Sequence, residues 1–145
     1  GYTSGRKEII DFLRQRSRPY LFSNTVPPGI ICGSLKALEI ITSSGKLIEK
    51  LEKNTRYFRE KITGKGFSIR QSTHPIIPIM IGDASLAQKA AARMFEKGVY
   101  VIGFSYPVVP VGLARIRTQI SAAHSIEDLD FAVSMFAEVK AELGL

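Results

Sequence analysis

Seven residues late in this 145-residue chain, ARIRTQI at 114–120, alternate without a break. Successive side chains of a strand point to opposite faces, so Ala114, Ile116, Thr118 and Ile120 share one face and Arg115, Arg117 and Gln119 the other. One face is therefore core and the other polar. A strand of that kind belongs to a sheet covered on one side, and the flanking segments supply the cover. The fold class expected is α+β, a small antiparallel-type sheet with helices on one face, preceded by further helices.

Upstream, punctuation and periodicity divide the chain. Residues 6–16 read as a helix, with Ile9, Ile10 and Leu13 at helical spacing, stopped by Pro19. The stretch RPYLFSNTVPP (18–28) reads as extended, and a helix resumes after Pro27-Pro28, where proline is tolerated in the first turn, and runs to about Ile41. Ser43-Ser44-Gly45 is the clearest break, which sets an expected division into 1–44 and 45–145. Leu47, Leu51, Thr55, Phe58 and Ile62 then mark a long amphipathic helix that Gly64 and Gly66 end. A strand is expected over IIPIMI (76–81), a helix over about 85–97 closed by Gly98, and a strand over VYVIGF (99–104). The last helix should start at Ser125, with Asp128 completing a capping box, and bury Leu129, Ala132, Met135 or Phe136, and Val139.

Composition narrows the function classes. No run approaches the roughly 20 apolar residues of a membrane span. Residues 1–73 hold 14 Lys+Arg against 6 Asp+Glu, and residues 74–145 hold 6 against 7, so the formal net charge of +7 is an N-terminal excess. Spread along helices, such charge reads as a solvated face; no stacking-aromatic or groove-reading motif points to nucleic acid. A lone cysteine, Cys32, cannot form an internal disulfide, and with His74 and His124 it makes no metal-ligand spacing. Cys32 is expected as a buried small hydrophobe on its helix, and His124 as a turn residue.

Two clusters could carry chemistry. Arg115 and Arg117 would lie about 7 Å apart on one strand face. Their planar forks match a carboxylate through paired hydrogen bonds; the alternative is a pair of solvated or ion-paired arginines. Phe22-Ser23-Asn24-Thr25, ahead of a helix start, offers hydroxyl, amide and backbone N–H groups for a phosphate; the alternative is helix capping by Asn24 or Thr25. No nucleophile, base and acid set, P-loop or dinucleotide fingerprint is present.

GYTSGRKEIIDFLRQRSRPYLFSN, PPGIICGSLKALEI, HPIIPIMIGD, GFSYPVVP and ARIRTQISAAHS, in that order, resemble the C-terminal part of the α-oxoamine synthase family of pyridoxal-phosphate enzymes. The similarity spans the chain, and RPYLFSN with the R-I-R segment brings it nearest the glycine C-acetyltransferase branch, the 2-amino-3-ketobutyrate coenzyme A ligases of threonine catabolism. The resemblance implies the C-terminal domain of a fold type I transferase over 45–145, with 1–44 closing the large cofactor-binding domain. It implies a homodimer that condenses glycine with acetyl-coenzyme A on pyridoxal phosphate. Arg117 would bind the substrate carboxylate, and Ser23 and Asn24 the cofactor phosphate across the dimer. The family's Schiff-base lysine would lie upstream of Gly1, so these residues alone are expected to be inactive. Val111 stands where the family pattern has a basic residue. A bacterial protein of this kind is expected in the cytoplasm and a eukaryotic one in the mitochondrion. The other readings are a synthase using a longer acyl thioester, or a stand-alone carboxylate-binding α+β domain.

Overall fold

The computed structural model describes residues 2–22 and 25–145. The chain divides into two compact units, Gly1–Ser44 and Gly45–Leu145.

The first unit contains helix α1 (Lys7–Arg16) and helix α2 (Pro28–Ser43). Neither buries a single residue. α2 starts where expected, because Pro28 occupies a first-turn position whose N–H would have no partner, and the carbonyl of Pro27 accepts from the N–H groups of Ile30 and Ile31. Its first turn has no side-chain cap. Two expectations fail in this unit. Arg18–Tyr20 is a short 3-10 turn, closed by a bond from the Leu21 N–H to the Arg18 carbonyl, and not extended chain. Cys32 is exposed, since α2 has no core to point it into.

The second unit begins with helix α3 (Lys46–Gly64), followed by strand β1 (Ser68–Ile69), strand β2 (Ile76–Gly82), helix α4 (Ala84–Glu96), strand β3 (Ile102–Phe104), strand β4 (Ala114–Gln119) and helix α5 (Ile126–Leu143). The strands form one sheet in the order β1-β2-β4-β3, antiparallel throughout. β2 and β4 alternate as their sequences dictate. Ile77, Ile79 and Ile116 point into the core, where they meet Phe58 and Ile62 of α3, Ala90 and Met94 of α4, and Leu129, Val133, Phe136 and Val139 of α5; Ala114 and Thr118 are buried as well. All three helices thus cover the same face of the sheet. Burial of the Ile, Leu, Val, Phe and Met side chains in this core contributes roughly 1.5–3 kcal/mol each before the entropic cost of ordering the chain.

Local chemistry sets the helix ends. The Asp83 carboxylate accepts the Leu86 N–H at the start of α4. At α5 the expected capping box is complete: Ser125 accepts the Asp128 N–H and Asp128 accepts the Ser125 N–H. α3 ends at Gly64; Gly66, two residues on, has a φ of 77° that favours glycine, and Lys140 of α5 donates to the carbonyls of Lys65 and Gly66 there.

The strand expected over 99–104 is only three residues long, because the Val99 N–H closes the end of α4 on the Met94 carbonyl and is spent before the ladder begins. β1 was not expected at all; two residues carry no legible alternation. In α5 the buried set includes Val133, while Ala132 and Met135 are only half-buried. Among the described residues no helix is long and apolar enough to cross a membrane.

Candidate functional site

The uncovered face of the sheet carries the candidate site. β4 is an inner strand, held on one side by β2 and on the other by β3. In that register Arg117 lies across from Pro78 and Ile102, and Arg115 across from Met80 and Phe104. Because β4 is clamped on both sides, neither backbone position can swing; only the side chains are free to meet a ligand.

Arg117 is exposed, and its guanidinium carbon stands 4.0 Å from the centre of the Phe104 ring. Arg115 folds back so that its Nε donates to the carbonyl of Leu113 at 3.1 Å. A depression of about 440 Å³ opens over this face, bordered by Arg115, Arg117 and Pro78, and on its far side by Arg70, Ser72 and His74. Among the described residues no carboxylate pairs with Arg70, Arg115 or Arg117; the ion pairs lie elsewhere, on α1, α2, α3, α4 and α5. Three uncompensated guanidinium groups around one hollow make it attractive to an anion, and a planar carboxylate fits the fork best. The alternative of an internally ion-paired arginine strand is thereby removed among the described residues.

The wall bearing Arg70 and His74 is tied down by Arg59 of α3, which donates to the carbonyls of Arg70 at 3.0 Å and His74 at 2.9 Å. Burial lowers the pKa of Arg59, but an arginine stays cationic under all ordinary conditions, so the clasp persists. The His74 ring accepts the Ile76 N–H through Nδ1 and so shapes the entry to β2. His124 does the same in its own turn, with Nδ1 accepting the Ser121 N–H, as its sequence context suggested. Among the described residues neither imidazole ring bonds a hydroxyl or a thiol.

Sequence reasoning missed Asn54 and Phe104. Asn54 is 3% exposed and donates to the carbonyls of both Ser121 and His124, fixing the turn that follows β4. Its signal was available: a polar residue three places after Leu51, on the apolar stripe of α3. Phe104 left no such signal, because its partner lies 13 residues away across the sheet. Ser23 and Asn24 lie outside the described residues, so the structure brings nothing to them. Val111 is exposed, near the Pro110–Leu113 turn.

Residues 1–136 match the family described as aminotransferase class I and II. This chain belongs to that family. It is 50% identical over 145 residues to the 2-amino-3-ketobutyrate coenzyme A ligase of Escherichia coli strain K12, covering 100% of this chain and 36% of the relative. It is 51% identical over 139 residues to the mitochondrial enzyme of that name from Mus musculus, covering 96% of this chain and 33% of the relative. The chain thus spans about a third of the length of these curated relatives. Among solved structures it superposes on SPT with PLP with a TM-score of 0.87 at 21% identity, over 95% of this chain and 35% of the other. The fold is that of part of a fold type I pyridoxal-phosphate enzyme, α+β as the alternation of β4 implied.

Proposed function

We propose that this chain is the C-terminal part of a pyridoxal-phosphate acyltransferase that condenses glycine with acetyl-coenzyme A to give 2-amino-3-ketobutyrate and coenzyme A. The observation that carries the reading is Arg117: an exposed guanidinium on a clamped strand, facing a hollow, with no carboxylate of its own among the described residues. The names of the relatives supply the chemistry for which such a group is suited.

In this reading Gly45–Leu145 is the small domain and Gly1–Ser44 closes the large cofactor-binding domain. Arg117 takes the glycine carboxylate in its fork, and the clamp of β2 and β3 on β4 sets where that carboxylate rests. Anchoring one end of so small a substrate orients the other, which converts an encounter into a fixed geometry. Arg115 keeps the hollow positive. The donors on this face suit a carboxylate; Ser23 and Asn24 are the residues proposed to hold the cofactor phosphate, serving the partner subunit of a homodimer. Pyridoxal phosphate, when bound in the whole protein, supplies an electron sink for the deprotonated substrate. The lysine that carries it belongs, by the family pattern, to the part of the protein upstream of these residues, so the 145 residues alone should release no coenzyme A.

The test uses the whole protein, in this chain's numbering. Arg117→Ala should lower kcat/KM for glycine about a hundredfold or more while cofactor absorbance is unchanged, and Arg117→Lys should recover little, because a point charge cannot replace the fork. Glycine-dependent release of coenzyme A that is unaffected by Arg117→Ala would overturn the reading.

A further inference from the structure

We infer that Phe104 is a positioning residue for Arg117, holding the guanidinium plane so that its edge, and not its face, is presented to the substrate carboxylate. The inference deepens the proposed function and rests on its assignment of Arg117.

A long side chain on an exposed strand face samples many rotamers, and each must be surrendered when a ligand binds. Arg117 escapes part of that cost. Its guanidinium carbon sits 4.0 Å from the Phe104 ring centre, the separation of a stacked cation and aromatic face. Stacking occupies one face of the planar group and leaves the in-plane N–H donors open, which are the ones a carboxylate engages in pairs. A lysine could not be oriented this way, since an ammonium has no plane.

The ring is itself held in place by the backbone of β3. The two residues are diagonal neighbours across the β3–β4 ladder: Ile102 is directly opposite Arg117, and Phe104 directly opposite Arg115. Between them Gly103 faces α4 so closely that a Cβ there would come within 2.9 Å of the Ala87 carbonyl oxygen. Gln88 of α4 also donates to the Gly103 carbonyl at 3.2 Å. An edge strand of three residues is therefore pinned against a helix, and its ring is fixed over the arginine. Gly103 is tolerated here because only a residue without a side chain lets the helix approach.

The experiment compares Phe104→Leu, Phe104→Tyr and Arg117→Ala in the whole enzyme, with glycine and acetyl-coenzyme A varied separately. Phe104→Leu keeps bulk but removes the π-face, and should raise KM for glycine about three- to thirtyfold, with kcat and the KM for acetyl-coenzyme A within about twofold. Phe104→Tyr keeps the face and should stay within about twofold of the unsubstituted enzyme. A second readout needs no turnover: in the 145-residue chain the Arg117 Cδ protons should show an upfield ring-current shift by NMR, retained in Phe104→Tyr and lost in Phe104→Leu. An unchanged glycine KM in Phe104→Leu, beside a large increase in Arg117→Ala, would overturn the positioning role and leave the carboxylate reading standing. An unchanged glycine KM in Arg117→Ala would instead remove the carboxylate reading, and the absence of a ring-current shift in the unsubstituted chain would remove the stack. Equal impairment in the leucine and tyrosine variants would reduce Phe104 to a packing residue and likewise overturn the inference.

Discussion

The two units of this chain are both helical, yet among the described residues only one has an interior. In Gly1–Ser44 the helices α1 and α2 bury nothing, and Phe12, Leu35 and Leu38 remain exposed. In Gly45–Leu145, Phe58, Ile62, Met94, Ile116 and Phe136 are each no more than 2% exposed. The difference lies not in apolar content but in partners: α3, α4 and α5 share a sheet face to close against, whereas α1 and α2 have none within their unit. Local pattern makes a helix; a second layer makes a core.

The largest expected effect is on the second unit. Phe136→Ala empties a fully packed site and meets Phe67 edge-on no longer, so it should cost about 3–5 kcal/mol in urea unfolding followed by hydrogen exchange of β2 and β4. A loss below about 1 kcal/mol would mean that this unit is no better packed than the first. Asn54→Ala should come next, at about 1–3 kcal/mol, because the part-buried carbonyls of Ser121 and His124 each lose the amide donor, and Ser121 keeps only the His124 N–H. Exchange should quicken in the 121–124 turn ahead of the rest.

Acid sharpens the comparison by a smaller amount. The Asp128 carboxyl is held below its ordinary range by the Ser125 backbone N–H, and that of Glu142 by hydrogen bonds from Lys97 and then Arg93. A carboxyl whose pKa is lowered by folding adds stability that is complete above its unfolded value and fades as pH falls through the folded one. The thermal midpoint of the second unit should therefore drop on acidification, and an Asp128→Asn, Glu142→Gln double variant should show a shallower drop. Both groups are exposed, so the slope is modest. The smallest effect is expected from Leu35→Ala: with most of its side chain exposed, the unfolding free energy of this chain should stay within about 0.5 kcal/mol, and a larger loss would break the contrast between the units.

Much of the second unit was legible from neighbouring residues. The stripe through Leu51, Phe58 and Ile62, the Ser125 to Asp128 capping box and the alternation of ARIRTQI are all short-range patterns, and each formed the element it specified. The position of Arg117 on the polar face followed from the same alternation. What failed were judgements that depend on distant partners. Cys32 was expected inside because its neighbours are apolar, yet α2 buries none of its residues. β3 lost half its expected length because Val99 is used by α4.

By itself, then, the sequence determined the helices, the strands long enough to alternate, the one-sided sheet and the side of it on which the two arginines stand, because periodicity and capping act over a few residues. Only the tertiary structure decided that Asn54 would fasten a turn some 70 residues away, that Gly103 would admit α4, and that Phe104 would meet Arg117 at 4.0 Å. Those contacts depend on strand order and register, which arise when the whole sheet closes against its helices and have no signature in any local stretch of chain.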